Sequence, residues 1–191
     1  MVLASTSPRR AALLREAAVT FEAVSPPFDD SRVDLADTPP ELATEALAYL
    51  KAASVAAERD AGIVIGSDTL LRVDGRAVGK AADAAAARVM LKSLIGKTHE
   101  AVTGVALIDA ASGRCEVFHD TTRVTILNLG DEDLDSYLDS EQWRGKAGGY
   151  NLAELADRWC FALEGDPTTV VGLPMERLSD ALRRMTGSAP V

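Results

Sequence analysis

The chain opens with Leu3-Ala-Ser-Thr-Ser-Pro-Arg-Arg10, a short apolar stretch followed by hydroxyl side chains, a proline and two arginines. Pro8 suits the first position of a helix, because the N–H there has no helical partner and proline already holds a helical φ. Ser7 is then the expected N-cap, and the good helix formers after it continue the helix to about Ala18. The stretch therefore predicts a strand, a tight turn and a helix that begins at the arginines.

The same turn has the chemistry of an anion site. The N–H groups at a helix start carry the positive end of the helix dipole, and Arg9 and Arg10 add planar donors that match phosphate oxygens. The alternative is that Ser7 only caps the helix while both arginines lie in solvent. This segment alone leaves both interpretations open.

Apolar runs at 21–24, 63–65, 101–108 and 117–127 predict strands, and helical patterns lie between and after them, so we expect a mixed α/β fold. A second helix is predicted from 37–40 to a point before Gly62, with Lys51 beside its apolar stripe. That predicted stripe contains Leu42, Ala46, Leu50, Ala53 and Ala57. Another helix is expected to open at Asp83, and hairpin turns are expected at 74–75 and 109–113.

Composition limits the function classes. The 191 residues, 47% hydrophobic and 26% charged, are typical of one globular domain spanning 1–191, with a frayed tail after about 187. The net charge of -9 argues against duplex nucleic acid or an anionic membrane surface as a partner, and no apolar run is long enough to span a membrane. The two cysteines, Cys115 and Cys160, indicate reduced thiols in a cytoplasmic protein rather than a disulfide framework.

Charged residues interrupt the apolar segments at several points. Asp68 follows a strand-like run, where a lone carboxylate is costly to bury. A divalent metal, a water to be deprotonated or a nearby lysine would offset that cost, and the ordinary alternative is a turn carboxylate that caps backbone N–H groups. A regular hairpin would return Lys80 to the neighbourhood of Asp68. We expect His99 to be structural and hydrogen-bonded, and the glycines of 145–150 to let the backbone approach a ligand closely.

Together these segments resemble the Maf family of nucleotide pyrophosphatases, in one order along almost the whole chain. The matching motifs are the opening octapeptide, Asp29-Asp30, the helix segment 47–52 with Lys51, Ser67-Asp68-Thr69, Gly79-Lys80, the segment 99–104, the turn 146–150 and the closing segment 170–175. The resemblance implies a mixed twisted sheet with flanking helices and two lobes around a cleft, similar to inosine triphosphate pyrophosphatases. It also implies a cytoplasmic homodimer.

The implied reaction is hydrolysis of a nucleoside triphosphate to its monophosphate and pyrophosphate. Carried onto this sequence, the resemblance makes Asp68, Lys51 and Lys80 the catalytic residues, with both lysines on the triphosphate. The resemblance implies that Ser5, Arg9, Arg10 and Lys146 bind the substrate. Asp68 and Asp30 would hold the divalent cofactor, Mg²⁺ or Mn²⁺, and Asp68 would serve as general base for the attacking water.

The sequence departs from the family pattern in two places. Asp30 replaces a glutamate, and Ala153 stands where the dTTP/UTP-cleaving branch has glutamine and the 7-methyl-GTP-cleaving branch has glutamate. Tyr150 and the turn before it resemble the pyrimidine branch more closely, so dTTP and UTP are the expected substrates. The alternatives are a 7-methyl-GTP-type pyrophosphatase, a non-hydrolytic nucleotide-binding regulator of cell division, and a phosphatase of small phosphate esters.

Overall fold

The computed structural model describes residues 1–35, 37–127, 129–155, 159 and 161–187, except the side chains of residues 31, 153 and 154. Within these residues the strands are β1 Val2–Ala4, β2 Glu22–Val24, β3 Ile63–Val73, β4 Arg76–Val78, β5 Thr98–Asp109, β6 Cys115–Ile126 and β7 Phe161–Glu164. The helices are α1 Pro8–Glu16, α2 Pro40–Ala56, α3 Ala84–Leu94, α4 Asp131–Asp139, α5 Leu152–Leu155, α6 Pro167–Val171 and α7 Met175–Thr186. A 3-10 turn, Asp30–Arg32, precedes α2.

The strands form one seven-stranded mixed sheet in the order β2-β1-β3-β5-β6-β7, with β4 paired to β3. β1 lies parallel to both β2 and β3, whereas β3, β5, β6 and β7 pair antiparallel. The helices flank this sheet, so the predicted α/β class is confirmed. The expected single two-lobed domain spanning 1–191 stays a prediction, and residues 188–191 of its frayed tail lie outside the described part of the chain.

The predicted turns and caps are confirmed where local chemistry decides them. The Ser7 side chain accepts a bond from the Arg10 amide at 3.5 Å, and Pro8 is the first residue of α1. Asp83 caps α3 by accepting from the Ala86 amide at 2.8 Å. Asp74 and its following glycine have φ values of 48° and 78°, the left-handed pair that a tight two-residue hairpin turn needs. These positions depend on a few neighbouring residues only.

The long helix α2 lies directly on the sheet because two glycines there have no side chain. A Cβ at Gly66 of β3 would stand 2.1 Å from the Ala48 carbonyl oxygen, and one at Gly104 of β5 would stand 2.3 Å from the Thr44 carbonyl. Neither position has room for a methyl group. The close contact places the inner face of α2, which includes Lys51, against the middle of β3.

The predicted orientation of α2 is wrong. Its buried face contains Ala43, Leu47, Ala48, Ala52 and Val55, together with Lys51, rather than the predicted stripe. Leu42 of that stripe is 56% exposed. Because glycines on the sheet require small residues opposite them, the alanine-rich face packs inward although the other face has larger apolar side chains.

Buried side chains fill the space on both sides of the sheet. One cluster packs α3 and α4 against β5 and β6, and it includes Trp143 and Trp159, which are core residues. A second cluster joins α1 and α7 to β3 and β5, and a third lies under α2. None of the described helices combines the length and the apolar character that a membrane span requires.

Candidate active site

A cleft opens where the turn between β1 and α1, the helix α2, the middle of β3 and the turn at 145–151 meet. It consists of an enclosed cavity of about 200 Å³ and a more open one of about 690 Å³ beside it. Both cavities are lined by Ser7, Arg9, Arg10, Asp30, Lys51, Lys80 and Gly145. These shared walls make the two cavities parts of one binding cleft.

The fold brings every predicted site residue into this cleft. The enclosed cavity is lined by Arg9, Arg10, Asp30, Lys51, Asp68, Lys80 and Lys146, and the open one adds Ser5. These residues come from segments that are up to about 140 positions apart in the chain. Their assembly is a geometric result, and their individual roles stay predictions.

Lys51 forms ion pairs with both acidic residues of the enclosed cavity, Asp30 and Asp68. Its Nζ lies 2.7 Å from Asp30 Oδ2 and 2.7 Å from Asp68 Oδ1. The Lys51 and Asp68 side chains are only 11% and 14% exposed, so each charge offsets the cost of burying the other. Asp68 lies within β3, and a lysine is its partner. The alternative that Asp68 is a turn carboxylate capping N–H groups is therefore wrong.

All three nitrogens of the Arg10 guanidinium donate hydrogen bonds to the protein. Nε donates to the Gly172 carbonyl at 3.0 Å, and Nη1 donates to Ser5 Oγ at 3.3 Å. Nη2 donates to Thr69 Oγ1 at 3.3 Å. Burial lowers the pKa of Arg10, and the charge of Asp68 opposes that shift. The alternative that both arginines of the opening turn lie in solvent is thus wrong for Arg10.

The remaining cations project from the rim of the same cleft. Arg9 and Lys80 line it, and neither side chain has a hydrogen bond or ion pair with the described residues. The residue pair Lys80 and Ala147 forms an antiparallel bridge, and the Gly148 amide donates to the Gly79 carbonyl at 3.1 Å. The β3–β4 hairpin and the glycine turn therefore close one side of the cleft together.

The charge of the cleft opposes that of the whole chain. Five cationic side chains and two carboxylates line the enclosed cavity, an excess of three positive charges in a protein of net charge -9. Local excess of one sign in a concave site concentrates ligands of the opposite sign. The cleft is suited to a small polyanion.

The wall beside these charges contains Tyr150, which lines the enclosed cavity. Its hydroxyl lies 2.7 Å from His99 Nε2, and its ring stacks on Phe161 with centroids 5.9 Å apart. Burial lowers the pKa of His99 and raises that of Tyr150, so both groups are neutral near pH 7. The prediction that His99 is hydrogen-bonded is confirmed, its structural role stays a prediction, and its contact holds the Tyr150 hydroxyl.

Two carboxylates that converge on one ammonium are a donor set with the right chemistry for a divalent cation. Mg²⁺ is commonly bound by one or two carboxylates together with waters and substrate phosphates. Asp30 and Asp68 supply such oxygens beside the cationic side chains that line the enclosed cavity. Across the described ranges there is no cluster of three or more His, Cys, Asp or Glu that would form an all-protein metal cage.

Sequence reasoning missed several residues of this site. Thr69 binds Arg10, and Val170, Val171 and Asn151 line the enclosed cavity. Thr69 belongs to the motif Ser67-Asp68-Thr69, and Val170 and Val171 begin the closing segment 170–175. The motifs could therefore have identified these residues, although their charge could not. The expectation for Ala153 concerns a side chain outside the described part of the structure, and Cys160 also lies outside it.

The fold and the cleft define an α/β protein with a cationic site suited to a small polyanion. Residues 1–185 match the family described as Maf-like protein. The chain belongs to that family.

Several bacterial relatives match nearly the full chain. One from Pelotomaculum thermopropionicum is 41% identical over 184 residues, which cover 96% of this chain and 95% of the relative. A second, from Ruminiclostridium cellulolyticum, is 36% identical over 97% of this chain and 95% of the relative. A third, from Bacillus cytotoxicus, is 38% identical over 98% of this chain and 96% of the relative. Each of these proteins is named dTTP/UTP pyrophosphatase.

Proposed function

We propose that this protein hydrolyses a nucleoside triphosphate, with dTTP and UTP preferred, to the monophosphate and pyrophosphate. The names of its relatives support the reaction and the substrates. The observation that carries the proposal is the joining of Asp30, Lys51 and Asp68 at 2.7 Å contacts within a cationic cleft. A binding protein for phosphate would need the cations but has no need of a paired acidic centre.

The triphosphate of the proposal binds to the cationic wall of the cleft, which consists of Arg9, Arg10, Lys80 and Lys146. A nucleoside triphosphate has about four negative charges, which an acidic protein attracts only through a local positive field. In this proposal Arg9, Lys80 and Arg10 contact phosphate oxygens, and Ser5 and Lys146 complete the wall. Arg9 and Lys80 line the cleft and their side chains have no ion pair among the described residues, so binding phosphate there breaks no ion pair of theirs within that part of the chain.

The divalent cation of the proposal is Mg²⁺ or Mn²⁺, held by Asp68 and Asp30. When bound, it neutralises phosphate charge and orients the reacting groups. Asp68 is partly buried on β3, so its position is fixed by the sheet. Asp30 is 49% exposed on the 3-10 turn, so it is the more adjustable of the two oxygen donors.

Asp68 is the proposed general base. A water oxygen attacks the α-phosphorus, and its proton passes to the Asp68 carboxylate. The bond between the α-phosphorus and the bridging oxygen breaks, and its electron pair leaves with pyrophosphate. Lys51 orients Asp68 through the 2.7 Å contact. Lys51, Lys80 and Arg10 stabilise the charge that builds on the leaving group.

The rival functions differ in their products. A non-hydrolytic regulator of cell division would bind nucleotide without turnover, and a phosphatase of small esters would release orthophosphate. A 7-methyl-GTP-type enzyme would release pyrophosphate from a different base. The acidic centre favours turnover, and the relatives' names favour the pyrimidine substrates.

We also propose that the protein is a cytoplasmic homodimer. Its location is supported by the substrate class, because nucleotide pools are cytoplasmic, and its dimeric state by the family resemblance. Light scattering coupled to size exclusion would give the mass of the particle against the 20.2 kDa chain.

The test is a product assay with purified protein. It uses dTTP, UTP, CTP, GTP and 7-methyl-GTP, each with Mg²⁺, Mn²⁺ or chelator, and it measures pyrophosphate and orthophosphate separately. Metal-dependent pyrophosphate from dTTP and UTP supports the proposal. Pyrophosphate from 7-methyl-GTP alone would support that branch instead, and nucleotide binding without any product would support the regulator.

A further inference from the structure

The closing segment 170–175 overlaps the end of the short helix α6 and contacts Arg10, although neither has a role in the proposed reaction. The Gly172 carbonyl accepts Arg10 Nε at 3.0 Å and also Ser67 Oγ at 2.8 Å. A Cβ at Gly172 would stand 3.0 Å from Arg10 Nε and 3.5 Å from Thr69 Oγ1. The segment therefore contacts Arg10 across 162 positions of sequence.

A second connection reaches Arg10 through three threonines. Arg10 Nη2 donates to Thr69 Oγ1 at 3.3 Å, and Thr69 Oγ1 lies 2.8 Å from Thr103 Oγ1. Thr103 Oγ1 donates to the Thr169 carbonyl of α6 at 2.7 Å. Thr69 and Thr103 are directly opposite each other on β3 and β5. Thr103 and Thr169 are fully buried.

The proton directions along this chain follow from the number of hydrogens. A hydroxyl has one proton, and Thr103 gives its proton to the Thr169 carbonyl. Thr69 must therefore donate to Thr103, so the lone pairs of Thr69 are available to Arg10. Each bond has only one possible direction. The carbonyl of α6 thus determines the orientation of two hydroxyls and, through them, the guanidinium.

These hydrogen bonds determine how many N–H donors of Arg10 remain for phosphate. A guanidinium has five N–H donors. Gly172, Ser5 and Thr69 take three of them, which leaves one N–H on each terminal nitrogen without a partner among the described residues. Two N–H groups with fixed directions suit two phosphate oxygens. Because the Arg10 side chain is already ordered before phosphate binds, binding costs less side-chain entropy.

We propose that Thr103 is a positioning residue that fixes Arg10 toward the triphosphate, through Thr69 on one side and α6 on the other. This inference rests on the proposed function, because it requires a phosphate ligand. Thr103 does not line the cleft among the described residues, so it acts through Arg10 rather than on substrate. The closing segment then supports the phosphate site through its contact with Arg10.

The experiment measures binding of inorganic tripolyphosphate by titration calorimetry at fixed ionic strength. Thr103→Val keeps the shape of the side chain and removes the hydroxyl. We expect it to weaken binding about tenfold, because Thr69 loses the partner that directs its lone pairs toward Arg10 Nη2. Thr103→Ser restores the hydroxyl and is expected to bind within twofold of wild type.

A double-mutant cycle separates positioning from general loosening of the fold. In an Arg10→Met background there is no guanidinium to orient, so Thr103→Val is expected to change affinity by less than twofold. Thr122→Val is the matched control, since Thr122 Oγ1 donates to the Asp166 carbonyl in the segment just before α6. It removes a comparable bond without touching Arg10, and we expect wild-type affinity.

Equal affinity of Thr103→Val and wild type would overturn the inference, and so would an equal loss in the Arg10→Met background or in Thr122→Val. If Thr103→Val does not fold, Thr103→Ala replaces it in the same cycle, because it also removes the hydroxyl that joins Thr69 to the Thr169 carbonyl. We expect a comparable loss of affinity that disappears in the Arg10→Met background. A loss that persists there would equally overturn the inference. A wild-type protein that binds no tripolyphosphate would overturn the proposed function as well.

Discussion

Replacing Gly66 by alanine is expected to destabilise the protein and to disturb its acidic centre at once. The added Cβ would lie 2.1 Å from the Ala48 carbonyl oxygen, 2.8 Å from the Ala52 amide nitrogen and 2.9 Å from the Ala52 Cβ. None of these atoms belongs to a flexible side chain, so no rotation relieves the contact. α2 has to move away from β3 by about 1 Å to restore ordinary contact distances.

The size of the effect follows from this overlap. Overpacking a tight core costs typically 1–3 kcal/mol, and a clash with helix backbone belongs at the upper end, so we expect a loss of about 3 kcal/mol. For a chain of this length that loss lowers the melting temperature by roughly 6–12 °C. Lys51 precedes Ala52 on the displaced face, so its 2.7 Å contact with Asp68 lengthens and turnover falls by about tenfold or more.

The assay is urea unfolding followed by circular dichroism, with pyrophosphate release from dTTP measured on the same preparations. Gly79→Ala is the matched control, because a Cβ there meets nothing within 4 Å. We expect its free energy of unfolding to stay within about 1 kcal/mol of wild type. A Gly66→Ala variant as stable as the control would refute the reasoning that glycine lets α2 contact the sheet.

Three further predictions concern the site and its support. Asp68→Asn is expected to abolish pyrophosphate release while far-ultraviolet circular dichroism stays unchanged, and a near-normal rate would remove Asp68 from the role of base. Lys80→Ala is expected to raise KM for dTTP about tenfold through loss of a phosphate contact, whereas the exposed Lys97→Ala leaves KM unchanged; equal effects would contradict a specific role. Burial lowers the pKa of His99, so below its ordinary value near 6.5 the unfolded chain takes up a proton that the folded protein excludes. Stability is therefore full above about pH 6.5 and falls on acidification, and His99→Gln is expected to flatten urea midpoints measured between pH 5 and 8.

Local chemistry made part of this fold predictable. Ser7 and Asp83 cap helices, and the turn at 74–75 needs left-handed backbone, so a few adjacent residues determine each feature. The orientation of α2 was not predictable in that way. It depends on Gly66 and Gly104, which belong to other segments and accept only the alanine-rich face.

The candidate site also has a part that was predictable from the sequence and a part that was not. Its charged residues were predictable for two reasons. Cations and carboxylates within apolar segments need partners, and the resemblance to the family motifs identified the same charged residues. The bond from Arg10 to Gly172 and the contact of Thr103 with Thr169 were not predicted. They depend on strand register and on contacts between segments 66 to 162 positions apart, for which the charge pattern gives no signal.

The central claim is that water attacks the α-phosphorus and pyrophosphate leaves. The most direct measurement is turnover of dTTP in ¹⁸O-labelled water, with the label in each product read by mass spectrometry. The account predicts one ¹⁸O atom in the monophosphate and none in the pyrophosphate. Label in pyrophosphate, or orthophosphate as the released product, would contradict it.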